Sequence, residues 1–166
     1  MAVDIGVEAT DRTTYSSLGN TRINMAAAAS IAGIDTSIDI WAEEDITGLK
    51  IGIFYTTGVN TLKCRSATTI AGTITAGSKV NKVVSLAVEV GDYIGCYFSE
   101  GRIERSSSGY AGIWQVSEDY CNVDDEVIYP TLEEDAVSLG GYIEVAVEPR
   151  NKSANLAAKM VAAGLL

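Results

Sequence analysis

The chain carries 22 Asp and Glu residues against 12 Lys and Arg, and it has no histidine. Imidazole is the usual proton carrier near neutral pH, so neither a Ser-His-Asp nor a Cys-His site can be built from these residues. The phosphate-cradling patterns GxxxxGK[ST] and GxGxxG are absent as well. Carboxylates are the remaining catalytic option, in three runs: Glu43-Glu44-Asp45, Asp124-Asp125-Glu126 and Glu133-Glu134-Asp135. A glycosidase needs two carboxyls facing each other across a cleft at a fixed separation. Adjacent carboxylates in acidic turns read instead as solvated surface. The same runs offer oxygens to Ca²⁺, but none follows the DxDxDG loop pattern. Whether calcium bridges them stays open. No enzyme activity and no cofactor are expected.

Cys64, Cys96 and Cys121 are odd in number, widely spaced and never in a CxxC arrangement. Without histidine they suggest neither a disulfide framework nor a zinc site, although one bridging pair stays possible. The glycosylation pattern Asn151-Lys152-Ser153 reads as chance, given no export signal.

The aromatic residues are more informative. In "GDYIGCYF" (91–98) the period of two puts Ile94, Cys96 and Phe98 on one face and Tyr93, Gly95 and Tyr97 on the other. The apolar trio reads as core. If the opposite face is wet, Tyr93 and Tyr97 form a platform for a sugar ring or a protein contact, since tyrosine joins a large rigid ring to a polar tip. The alternative is local packing under a loop or in an assembly. Trp41 and Trp114 join them as candidates for a contact or ligand face.

The elements that must hold these residues are short strands. "SIDIW" (37–41) alternates Ile38 and Ile40 with Asp39 and Trp41. "LKIGIFYTT" and "TLKCRSATTI" flank the turn "GVN" as a hairpin. "KVNKVVSLAVEV" places Leu86, Val88 and Val90 on one face. "IERS", in which Arg102 and Glu104 share a face, is followed by "YAGIWQV", "EVIY" and "VSLGGYIEVAV". Nine or ten strands separated by glycine-containing or acidic turns imply an all-β, antiparallel, jelly-roll-like β-sandwich. Its expected bounds are 34–148. Residues 1–33, poor in groups to bury, read as an N-terminal strand or extended arm, partly flexible. Residues 149–166 read as a linker and short helix over "SANLAAKMVAAGLL", with Leu156, Met160, Leu165 and Leu166 seeking an apolar surface.

The formal net charge of −10 repels nucleic-acid phosphate and anionic membranes. The first twenty residues hold acidic groups and no continuous apolar run, so neither a secretory signal nor a membrane anchor is expected there. That implies an intracellular protein, or one released without a cleavable signal.

Four passages, "DITGLKIGIFY", "ITAGSK", "VEVGDYIGCYF" and "IERSSSGYAGIW", together resemble a jelly-roll-like β-sandwich module of bacteriophage virion structural proteins, over about residues 35–145. The resemblance implies a non-enzymatic structural protein: a capsid decoration protein or a tail or fibre component, carried in the virion. The partner it implies is a homo-oligomer or a capsid or tail lattice, tied together by terminal segments. A carbohydrate-binding or adhesion sandwich is the second reading. Fold alone fixes neither function.

Overall fold

Alternation of apolar and polar residues every second position marks several of the strands, most plainly the one at residues 79–88. The computed structural model describes residues 2–146 and 160–164. The strands are, in chain order, β1 (Ile5–Gly6), β2 (Thr14–Ser17), β3 (Asn20–Asn24), β4 (Gly33–Thr47), β5 (Lys50–Gly58), β6 (Thr61–Thr69) and β7 (Lys79–Val88). They continue as β8 (Tyr93–Tyr97), β9 (Glu100–Ser106), β10 (Ile113–Ser117), β11 (Glu126–Ile128), β12 (Thr131–Leu132), β13 (Ala136–Val137) and β14 (Leu139–Glu144). Residues 160–162 belong to a short C-terminal helix.

The strands form two curled antiparallel sheets. One runs β1-β14-β4-β9-β13, with β2 added on β9 and β7 on β4; the other runs β11-β6-β5-β8-β3-β10-β12. The fold is thus the all-β antiparallel sandwich expected. β4 is long enough to serve two sets of partners. Its first half pairs with β14 and β7, its second half with β9, and the register slips between Ala42 and Glu44. A slip of this kind re-aims side chains, and it falls at Glu43.

Between the sheets lies the main core. Ile38, Ile40, Ile51, Ile53, Leu86, Val88, Ile94, Cys96 and Phe98 are all buried in it. The face assigned to Ile94, Cys96 and Phe98 is therefore correct. Val90 departs from its expected face: β7 ends at Val88, and Val90 sits exposed in the turn. That turn is built on Gly91, at φ +90°, and on Asp92. The Asp92 carboxylate is buried, accepts the Glu89 N–H at 2.8 Å and pairs with Arg65 Nε at 2.6 Å. It fixes a turn, which a buried carboxylate does well when every oxygen is paired.

The N-terminal segment takes the strand alternative: β2 pairs with β9 and β3 lies between β8 and β10 in the second sheet. Ile5 and Ile23 are fully buried. Asn24 binds across the sandwich, donating to the Val137 and Leu139 carbonyls at 3.1 Å and accepting the Val137 N–H at 3.0 Å. The Ser/Thr/Asn content of this segment meets its hydrogen-bonding needs in the sheets, so its few apolar groups suffice.

Of the predicted terminal helix, Met160 is half-buried. Leu156, Leu165 and Leu166 lie outside the described residues.

Candidate functional site

Tyr93 and Tyr97 stand where alternation puts them, on the outer face of the second sheet, but that face is covered. The chain between β10 and β12 folds back over it and forms a second apolar cluster of Ile23, Phe54, Leu62, Cys64, Trp114, Cys121 and Tyr129, with Tyr93 and Tyr97 packed at its margin. Tyr93 meets Trp114 edge to face, with ring centroids 4.9 Å apart. The indole N–H of Trp114 donates to Asn60 Oδ1 at 3.0 Å. Trp114 is 8% exposed, so it is a packing residue in this chain. Trp41 lies half-buried on β4, far along the sequence from the other three aromatics, and belongs to neither apolar cluster. The structure brings Tyr93, Tyr97 and Trp114 together and leaves Trp41 apart.

Cys64, Cys96 and Cys121 are free and buried. Burial pushes the Cys64 and Cys96 thiols up to about 12, and Cys121 well above its ordinary value. Thiols held in this way do not form the reactive thiolate.

The acidic runs have partners inside the chain. Arg102 Nη1 lies 3.1 Å from Glu44 Oε1 and 3.8 Å from Glu43 Oε2. Asp45 accepts the Ala76 N–H at 2.8 Å, and Asp135 pairs with Arg105 at 2.7 Å. Asp124 lies 3.5 Å from Lys63. Among the described residues, no group of three or more His, Cys, Asp or Glu side chains is placed to hold a metal ion.

Two open features were not visible in the sequence. The first is a cleft of about 330 Å³ on the outside of the first sheet, lined by Arg12, Thr13, Thr14, Tyr15, Glu43 and Glu104. β2 and β9 put Tyr15 directly opposite Glu104, and the register slip in β4 brings in Glu43. Glu104 is 5% exposed, and its Oε2 accepts the Arg12 N–H at 3.1 Å. Burial raises its proton affinity; the Arg12 N–H opposes this, and Asp11 and Glu43 add to it. The Arg12 charge also lowers that affinity, while the hydrogen bonds of its guanidinium go to other groups. Nε donates to Ser138 Oγ at 2.5 Å, Nη1 to the Tyr110 hydroxyl at 2.8 Å and Nη2 to the Glu8 carbonyl at 2.8 Å. Tyr15 is 44% exposed, with the Arg102 guanidinium 4.3 Å from its ring centroid. The cleft is rich in acceptors and offers one open ring. Alternation paired Arg102 with Glu104, but only strand order could show Tyr15 and Glu43 beside them.

The second is a groove of about 460 Å³ whose lining includes Asp4, Ser37, Asp39, Asn81, Tyr142 and Glu144. Asp39 accepts the Tyr142 hydroxyl at 2.7 Å and the Asn81 amide at 2.8 Å. Four residues earlier in β4, Asp35 is fully buried; Oδ1 accepts the Tyr142 N–H at 3.1 Å and Oδ2 has no partner among the described residues. Burial pushes the Asp35 carboxyl up to about 7; the backbone N–H groups of Tyr142 and Ser37 oppose this, and Asp4 adds to it.

No protein-family model matches this sequence, and comparison with curated proteins returns no match.

Proposed function

We propose that the chain is a non-enzymatic structural subunit of a virion or similar repeated assembly, acting through protein–protein contacts. The observation that supports this reading is an apolar knuckle at one end of the second sheet. Val59, at the tip of the β5–β6 hairpin, is 91% exposed, and Ile128 of β11 is 69% exposed. The two flank a rigid joint, since the Tyr129 N–H donates to the Asn60 carbonyl at 2.8 Å and Ile128 pairs with Thr61. Large aliphatic side chains held in water on an ordered hairpin gain free energy when a partner covers them, about 1.5–3 kcal/mol each on full burial. A solvated turn would be served as well by polar residues.

The test is site-specific photocrosslinking with a photoreactive residue at position 59 and, as control, at exposed Ser85 on β7. Crosslinked multimers of the purified chain at position 59, with none at position 85, support the reading. Equal crosslinking at both positions, or none at 59, overturns it.

A further inference from the structure

We propose that Arg22 and Arg105 together bind a small inorganic oxyanion, of the phosphate or sulfate type, between the two sheets. This goes beyond the assembly reading and does not depend on it.

Strand register turns both side chains inward. Arg22 of β3 pairs with Cys96 of β8, and Arg105 of β9 pairs with Val137 of β13; Cys96 and Val137 both belong to the main core. Paired residues on neighbouring strands share a face, so the two guanidiniums enter the layer between the sheets. Asn24, two residues past Arg22, bonds to the backbone of Val137, the residue opposite Arg105, and this sets β3 against that end of β9. Arg22 is 3% exposed. Its Nε donates to Gln115 Oε1 at 2.7 Å, and its guanidinium carbon lies 5.8 Å from the Phe98 ring centroid. Both of these partners are neutral. The titratable groups that bear on Arg22 are Cys96, whose thiol burial keeps protonated, and Arg105, a second cation. Arg105 Nη1 pairs with Asp135 at 2.7 Å, which offsets one of the two charges. Two buried donors remain, Arg22 Nη1 and Arg105 Nε, and neither has an acceptor among the described residues.

The donors select the ligand. Burial lowers the proton affinity of Arg22 only to about 10, so the cation persists at neutral pH. Buried charges are ordinarily paired, yet the two arginines share one carboxylate among the described residues. What complements them is one negative charge with several acceptor oxygens, since a guanidinium offers donors alone. A tetrahedral oxyanion presents acceptors in several directions, so a single ion can take an N–H from each arginine. Charge-assisted bonds of this kind are the strong ones. The enclosure selects for size. Arg22 and Asp135 are buried, and the Arg105 side chain, at 26% exposed, marks the way in from water beside β13, the terminal strand of its sheet. An ion without a bulky substituent suits that opening.

The experiment is a titration of the full ¹⁵N-labelled chain with sodium phosphate and, separately, sodium sulfate, at an ionic strength held constant with sodium chloride. The arginine Nε–Hε signals are the readout, assigned by substitution. The expected result is a saturable shift of the Arg22 and Arg105 signals with either anion, and a rise in melting temperature that saturates with it. Arg22→Met puts an apolar chain in place of a buried cation, a change that folded proteins tolerate, and it should weaken phosphate binding at least about tenfold. Arg105→Lys, which keeps a cation for Asp135 but loses the Nε donor, supplies a second variant should Arg22→Met not fold, and it too should weaken binding. Shifts that do not saturate, or that sodium chloride alone reproduces, overturn the proposal. So does a response confined to the other arginines, or unchanged phosphate binding in the folded variants. Phenyl phosphate binding as tightly as phosphate overturns the assignment of a small ion.

Discussion

Gly52 stands directly opposite Gly95 on the neighbouring strands β5 and β8, and the trough they leave is filled by Phe54 and Cys121. A Cβ on Gly52 would come within 2.8 Å of Cys121 Sγ and of the Phe54 ring. One on Gly95 would meet Ile23 Cγ1 at 2.7 Å and the Arg22 carbonyl oxygen at 2.5 Å. The two glycines let the second sheet bury its outer face as well as its inner one.

Adding that methyl group should therefore overpack the second core. Gly52→Ala and Gly95→Ala are each expected to lower unfolding free energy by about 1–3 kcal/mol in urea titrations. Gly58→Ala, where the nearest atom would be Thr61 Oγ1 at 3.4 Å, is the control and should change stability little.

Trp114 and Asn60 tie the hairpin tip to this outer layer. Asn60 has φ +50°, and its side chain accepts the indole N–H while its carbonyl accepts from Tyr129. Asn60→Gly keeps the backbone conformation and loses the indole bond, at about 1 kcal/mol. Asn60→Ala adds the left-handed strain and should cost about 1 kcal/mol more. Chemical denaturation followed by tryptophan fluorescence orders the three proteins.

Much of this architecture was legible in the sequence. Period-two alternation placed Ile94, Cys96 and Phe98 in the core and set Ile38 and Ile40 on one face, which is the buried one, and the β5–β6 hairpin was marked by its turn. Alternation tells which residues share a face, but not what covers that face. Tyr93 and Tyr97 were correctly assigned to the outer side of their strand, and the chain around Tyr120, Cys121 and Tyr129 that packs over it follows only from tertiary folding. The sequence left strand and arm undecided for the segment holding β2 and β3 because its side chains are small and polar. Asn24 satisfies those groups by bonding across the sandwich, a long-range pairing with no local signature. The cleft was invisible for the same reason. Tyr15 and Glu104 are separated by most of the chain and meet through strand order alone.

Asp35 makes stability depend on pH. Its folded carboxyl holds its proton up to about 7, above the ordinary 3.8. Between those values the folded state binds more protons than the unfolded chain, so this group's contribution falls as pH rises from about 4 to about 7, and its cost is fully present above 7. Asp35→Asn removes the titration. The variant's stability relative to the parent should rise across that window, by at most about 4 kcal/mol. Denaturation of both proteins from pH 4 to 8 measures the difference; a difference flat with pH would contradict the assignment.

The three thiols should be silent in the folded protein. Cys64, Cys96 and Cys121 are buried, and burial raises all three proton affinities. An aromatic disulfide reagent should titrate none of them in buffer and all three in denaturant. Rapid reaction of any one thiol under native conditions would contradict this.

The absolute mass of the purified chain by light scattering, beside Val59→Asp and Ile128→Lys, tests the central claim most directly. The account predicts discrete multimers for the unaltered chain and monomers for both variants, each still folded by circular dichroism. A monomer at every concentration for the unaltered chain, or multimers of unchanged mass in the variants, would contradict it.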